Sequence, residues 1–194
     1  MKHCHFKVYK PFGMLSQLTS NEERQLRKKK FLSELYPFNS EIMPIGRLDE
    51  KSEGLLLMTT DGKLSDIINR KGVEKEYLAQ LDGLISTQAI IELSSGVNIG
   101  LFGTTYGTKP CTVEQLMTNP TLPEPNAKLR IGRHRPTSWI RIILTEGKFR
   151  QIRKMTAAVG YPTIRLVRVR IGNIYLGHMQ PGQVEPITLN TDII

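Results

Sequence analysis

The apolar run Leu55-Leu56-Leu57-Met58, entered from a turn bounded by Gly46 and Gly54, constrains the fold more than any other feature of the chain. Consecutive large apolar side chains cannot alternate between core and water, so the run predicts a buried strand from about Leu55 to Thr60. The turn that feeds it, Gly46-Arg47-Leu48-Asp49-Glu50-Lys51-Ser52-Glu53-Gly54, presents one carboxylate, Asp49, just ahead of that strand. A turn-borne acid braced by a buried element suits a reacting group. The same residues also read as two surface charges, Arg47 and Asp49, on a turn that glycine permits. Three downstream features favour the first reading.

The rest of the chain alternates short strands with short helices, irregularly. Phe6 to Tyr9 reads as a strand stopped by Lys10-Pro11-Phe12-Gly13. A helix is expected from Asn21, with Leu26, Phe31, Leu32 and Leu35 as its apolar stripe, ending at Pro37. Asp61-Gly62 turns into a helical pattern at Leu64, Ile67 and Ile68, and Glu76 to Leu81 reads as a strand. Ser86 caps a helix carrying Ile90, Leu93 and Val97. Gly100 to Pro136 holds five prolines and little apolar periodicity, which predicts long connections or irregular hairpins. Trp139 to Leu144 is a strand, Phe149, Ile152, Met155 and Val159 form one helix face, and Leu166 to Ile171 is a strand with Arg168 and Arg170 opposite its valines. Strands outnumber helices without regular alternation, which predicts an α+β fold with a largely antiparallel mixed sheet flanked by helices.

Charge is concentrated. Lys128 to Arg170 holds twelve Lys or Arg against one acid, Glu146, so that segment carries +11 while the remaining residues carry −2 of the net +9. This is the footprint of a polyanion partner, because a basic patch gains from releasing condensed counterions. No apolar segment approaches membrane-spanning length and the start lacks an apolar signal core, so a cytoplasmic protein without a membrane partner is expected. Cys4 and Cys111 lie too far apart in sequence for a CxxC pair and read as reduced thiols. His3, Cys4 and His5 lack a second ligand pair at zinc spacing, so no metal site is expected. Lys28-Lys29-Lys30 reads as a solvated helix face.

Glu146-Gly147-Lys148-Phe149-Arg150-Gln151-Ile152-Arg153-Lys154-Met155 joins a tight turn to a helix start with several cations off its apolar face. Taken with Gly46-Arg47-Leu48-Asp49-x-x-Ser52-Glu53-Gly54-Leu55, Lys75-Glu76-Tyr77 and Leu166-Val167-Arg168, and with the opening Tyr9-Lys10-Pro11-Phe12-Gly13-Met14, this block resembles the motifs of RNA pseudouridine synthases of the RsuA group. The motifs occur in the family's order and span most of the chain. The Pro136-Thr137-Ser138-Trp139 lead-in narrows the likeness to a large-subunit branch of the group. The tail Gln180 to Pro186 matches the family's ending only loosely, and Gly100 to Pro136 matches no motif.

The resemblance implies a pseudouridine synthase catalytic fold with a central cleft, residues 1–194 forming a single catalytic domain of two lobes that share one sheet, without an N-terminal S4-type RNA-binding module. It makes Asp49 the essential carboxylate, Tyr77 the ring that stacks on the target uracil, Arg153 the cation paired with Asp49, and Leu166 an apolar pocket wall. Arg47 would contact RNA or hold the flipped nucleotide, and Arg150, Lys154 and Arg168 belong to the RNA-binding surface. The implied substrate is 23S rRNA, bound by a monomer. The reaction involves no redox change or phosphoryl transfer, so no metal, nucleotide or other cofactor is expected. Two further readings stand beside the isomerase: a non-catalytic RNA-binding ribosome-assembly factor, and a glycosidic-bond hydrolase that uses Asp49 to release free base.

Overall fold

The computed structural model describes residues 3–70, 72–133 and 135–189, and its chain divides into two compact units. Unit 1 comprises Met1–Val73 and Val167–Ile194, and unit 2 comprises Glu74–Leu166. The chain opens in unit 1 with β1 (His5–Lys10), α1 (Glu23–Lys28), β2 (Met43–Ile45), β3 (Glu53–Thr59) and α2 (Gly62–Arg70). Unit 2 holds β4 (Lys75–Asp82), α3 (Thr87–Ser95), β5 (Asn98–Leu101), β6 (Thr104–Gly107), β7 (Thr112–Leu116), β8 (Thr137–Leu144) and α4 (Gln151–Ala158). Strand β9 (Thr163–Ile171) starts in unit 2 and ends in unit 1, where β10 (Ile174–Tyr175) and β11 (Val184–Pro186) follow.

In unit 1, β3 is the central strand, and all seven of its residues are buried. Its two faces serve two cores, since successive side chains point to opposite sides of a strand. Leu56 and Met58 join Val8, Met14, Leu32 and Ile42 in one cluster, covered by Phe6, Phe38 and Val184. Leu55 and Leu57 point the other way and are equally inaccessible. Strand β1 pairs antiparallel with β3 in the register Val8 to Leu56, and β11 pairs antiparallel with β1. Strand β2 also pairs antiparallel with β3, whereas β9 runs parallel to it, with Gly54 opposite Arg168. The sheet is therefore mixed and mostly antiparallel, as expected.

That parallel contact depends on glycine. Gly54 has φ of +100°, and a Cβ built there would collide with the Arg168 carbonyl oxygen and lie 2.8 Å from the Arg168 amide nitrogen. Neither is a movable side-chain end.

The helix expected from Asn21 to Pro37 is broken. α1 stops at Lys28 and buries none of its residues, and Leu26 is exposed. Lys30 instead bridges Met14, with the Leu15 amide donating to the Lys30 carbonyl at 2.9 Å, and Lys29 forms an ion pair with Glu50 at 2.8 Å. Phe31 is extended, and a separate 3-10 turn follows at Leu32–Glu34. Pairing with the Met14 segment thus overrides the helical pattern, a tertiary effect that single-segment periodicity does not register. Phe31 and Leu32 still reach the core.

In unit 2, β4 and β8 pair antiparallel along their full length, from Lys75 opposite Leu144 to Asp82 opposite Thr137, and β7 flanks β8 antiparallel. α3 begins as expected, with Ser86 Oγ accepting from the Ala89 amide at 3.2 Å. Within the stretch from Gly100 to Pro136, β5 and β6 make a tight hairpin that closes between Leu101 and Thr104.

Replacing Gly54 by alanine is expected to destabilise the protein by about 2–4 kcal/mol, through the collision with β9 and the forced positive φ. A urea midpoint equal to that of the wild type would show that β9 has room to retreat.

Candidate active site and its surroundings

Asp49 lies half-buried in the connection between β2 and β3. The connection is fastened on both sides of it. Before Asp49, the Ser16 hydroxyl accepts from the Leu48 amide at 3.0 Å and donates to the Leu48 carbonyl at 2.8 Å, and the Leu48 side chain is buried. After it, the Ser52 amide donates to the Asp49 carbonyl at 3.0 Å, and the Gly13 amide donates to the Glu50 carbonyl at 2.8 Å. Gly46 opens the turn with φ of +68°, where a Cβ would stand 3.0 Å from the Asn69 side-chain oxygen. The backbone carrying Asp49 is thus held by groups from the turn after β1. Preorganisation of this kind is what a reacting carboxylate needs.

Lys10 completes the fastening and was not singled out from the sequence. Its side chain is fully inaccessible, and its Nζ donates to the carbonyls of Met14 at 2.6 Å, Pro11 at 3.0 Å and Glu50 at 3.4 Å. Burial pushes its pKa down to about 7, against the opposing pull of the Glu53, Asp49 and Glu50 carboxylates, and the Arg168 cation lowers it further. A signal was present: Phe6, Val8 and Lys10 share one face of β1, so alternation already puts this lysine on the apolar side.

Arg47 is exposed and lines an open pocket of about 460 Å³ with Ser16, Leu18, Ile42 and Gly46. Arg168 departs from the expectation of an RNA-facing cation. It is 2% exposed, and its Nε donates to the Leu55 carbonyl at 2.7 Å inside unit 1. Parallel pairing of β9 with β3 turns it inward, where it joins two strands. Arg165 of the same basic segment is also buried, with Nη2 on the Pro123 carbonyl at 2.8 Å.

Unit 2 carries the other expected residues. Tyr77 is buried on β4, opposite Ile142 of β8. Arg153 is half-buried on α4, with Nη1 donating to the Thr163 carbonyl at 3.0 Å, and Leu166 is buried on β9. Arg150 precedes α4 with a left-handed backbone, φ 53°. Lys154 donates to the Gly100 carbonyl at 2.6 Å.

Glu146, the single acid of the basic segment and the first residue of its motif block, joins three segments. Its carboxylate accepts from the Tyr106 hydroxyl at 2.6 Å, the Lys109 amide at 3.0 Å and Gln151 Nε2 at 2.6 Å. Burial works to raise its pKa, but these hydrogen bonds and the Lys148 charge outweigh it and hold the group below the ordinary glutamate value. Both cysteines are free, and burial pushes the Cys111 thiol up to about 11. Among the described residues no group of three or more His, Cys, Asp or Glu side chains is arranged to hold a metal, and no helix is long and apolar enough to cross a membrane.

The buried lysine makes stability depend on pH with a definite sign. With a folded pKa near 7 against 10.5 in the open chain, the unfolded state binds more protons between those values. Stability contributed by this group therefore rises as pH increases from about 7 to 10.5, and below 7 the cost of burying the ammonium is fully present. Lys10→Met should remove that slope, measured as the difference in urea midpoint between the two proteins across the range. Parallel profiles would show that Lys10 titrates as an ordinary lysine.

A sequence model described as RNA pseudouridylate synthase matches residues 5–158. The chain is 38% identical over 184 residues to ribosomal large subunit pseudouridine synthase E of Vibrio parahaemolyticus, covering 93% of this chain and 72% of that protein. It is 39% identical over 176 residues to the protein of the same name from Xanthomonas campestris, covering 90% of each. Ribosomal large subunit pseudouridine synthase B of Bacillus subtilis is 26% identical over 186 residues, covering 95% of this chain and 68% of that one. A crystal structure of a pseudouridylate synthase superimposes with a TM-score of 0.74 at 24% identity, over 96% of this chain and 71% of that one, which establishes the likeness of fold. The motifs, the sheet they build and these similarities agree: the chain belongs to the RNA pseudouridylate synthase family, is an isomerase of that kind, and is similar over most of its length to ribosomal large subunit pseudouridine synthase E.

Proposed function

We propose that this enzyme converts one uridine of 23S rRNA to pseudouridine in the cytoplasm, with Asp49 as its essential carboxylate. The observation that carries the proposal is the turn from Gly46 to Gly54. The family's Gly-Arg-Leu-Asp motif there coincides with a half-buried acid whose backbone is fastened by Ser16, Gly13 and Lys10. Relatives at 38–39% identity bear names that specify the large ribosomal subunit, which supports that RNA as substrate.

The chemistry fits these residue types. The N1 to C1′ bond breaks, the uracil turns in place, C1′ joins C5, the C5 proton leaves and N1 gains one. Atoms and electrons balance without an oxidant or a phosphoryl donor. Asp49 can act by attacking C1′, by adding to the base or by removing the C2′ proton. Tyr77 supplies a flat ring to retain the detached base and a hydroxyl able to accept the C5 proton. Arg153 supplies the guanidinium that keeps a carboxylate ionised where water is excluded, and Leu166 adds an apolar wall. Arg47, Arg150 and Lys154 hold the RNA. The target nucleotide must leave its stack, which costs least in loops and in locally opened helices.

Asp49→Asn should reduce tritium release from C5-labelled 23S rRNA by about a thousand-fold or more while leaving the urea midpoint close to wild type, because the bonds that fasten the turn come from Ser16, Gly13 and Lys10 and not from the Asp49 side chain. The product RNA should keep its mass, whereas a hydrolase would lower it by one base. Undiminished release from the Asp49→Asn protein would remove the carboxylate from the mechanism.

A further inference from the structure

Phe102 and Phe149 are 87% and 55% exposed, and they lie against each other. Their ring centroids are 5.9 Å apart and their planes 26° from parallel. Phe102 sits at the tip of the β5–β6 hairpin, so its outer face is open to solvent. One cation lies on the pair and another on the same hairpin. Lys154 Nζ is 5.3 Å from the centroid of the Phe149 ring, and Lys148 Nζ is 4.9 Å from that of Tyr106 on β6. Arg150 follows Phe149 directly, with no side-chain capping bond. Isolated exposed apolar residues are ordinary, but stacked rings rimmed by cations mark a binding surface.

The backbone beneath the rings strengthens this. Among the described residues, Phe102 and Arg150 are the only non-glycine residues with positive φ, at 48° and 53°. Phe102 and Gly103 are the central residues of a two-residue hairpin turn, both with positive φ, a conformation that favours Asn-Gly. A bulky ring at the first of these positions opposes backbone preference, and such outliers collect where function requires them. The hairpin is also fixed in place. Lys154 holds the Gly100 carbonyl, and Glu146 ties Tyr106 of β6 to Gln151 of α4.

We propose that Phe102 and Phe149 form a stacking platform for an unpaired nucleobase of the RNA substrate, with Lys148, Arg150 and Lys154 holding the adjoining phosphates. The inference rests on RNA being the substrate and adds a second point of base contact in unit 2. An open ring face offers a base its π-surface without demanding a particular sequence, and the surrounding positive charge suits the backbone on either side. Both oxygens of the carboxylate at this surface, Glu146, are already engaged by three donors.

Phe102→Asn separates recognition from folding, because asparagine suits the turn better than phenylalanine. Its thermal midpoint should equal or exceed wild type, while its affinity for a short single-stranded oligoadenylate should fall about five- to a hundred-fold. Phe102→Trp should retain affinity, and its fluorescence should be quenched by oligoadenylate but not by an abasic ribose-phosphate oligomer of equal length. Unchanged affinity in Phe102→Asn, or equal quenching by the abasic oligomer, overturns the platform. Tritium release by wild type from C5-labelled rRNA is read separately, so loss of the synthase reading and loss of the platform give different results.

Discussion

The close approach of β9 to β3 at Gly54 is the contact on which unit 1 depends. Because Gly54 carries no side chain, the backbone of Arg168 can pass where a Cβ would stand. Parallel pairing at this point brings the Arg168 guanidinium onto the Leu55 carbonyl, deep inside the unit. A buried arginine left unpaired would be costly, so this hydrogen bond is part of what permits the strand order. The start of β3 is thereby fixed, and the turn carrying Asp49 ends at that start. The end of the turn that carries the carboxylate is consequently anchored by a backbone contact several residues away.

The interior around this turn is unusually charged. Lys10, Glu53 and Arg168 are all almost fully buried, and the Asp49 and Glu50 carboxylates act on the same ammonium. An apolar substitute for Lys10 would fill much of its volume, but it could not donate to the carbonyls of Pro11, Met14 and Glu50. Those three carbonyls belong to the two chain segments that the lysine joins, so its burial cost is offset by the order it imposes. Ser16 performs the same service at Leu48 with a neutral hydroxyl. Charge and hydroxyl together fasten the turn from both sides, while the Asp49 side chain takes no part in those backbone bonds.

Much of this was legible in the sequence. The run Leu55 to Met58 announced the central strand, Ser86 announced its helix, and the alternation in Trp139 to Leu144 and Leu166 to Ile171 announced two more strands. The Gly46 to Leu55 motif put Asp49 on a turn just ahead of a buried strand, and it is found there because turn chemistry and the burial of the next strand are both local. What failed was non-local. The helix expected through Leu35 is broken by pairing between Lys30 and Met14, sixteen positions apart. Arg168 was expected on the RNA-binding surface, yet parallel pairing at Gly54 takes its side chain inside. Hairpins were expected between Gly100 and Pro136, but β5–β6 could not be located there because its turn places phenylalanine where an Asn-Gly signal would have marked it.

The Glu146 to Met155 block shows how one segment can meet two demands. In the pattern Glu-Gly-x-x-Arg-Gln-Ile-Arg-x-Met, the open positions are filled here by Lys148, Phe149 and Lys154. Four positions specified by the pattern face inward or build the frame: Ile152 and Met155 are buried, and Glu146 and Gln151 fasten the hairpin. All three open positions instead face the exposed aromatic and cationic surface, where Lys154 meets Phe149, Lys148 meets Tyr106 and Phe149 meets Phe102. A helix has a limited number of faces, and fixing one against the core leaves the other free to vary without cost to stability. The β5–β6 hairpin belongs with the open positions, because Phe102 at its tip supplies the second ring of the pair and no motif specifies it.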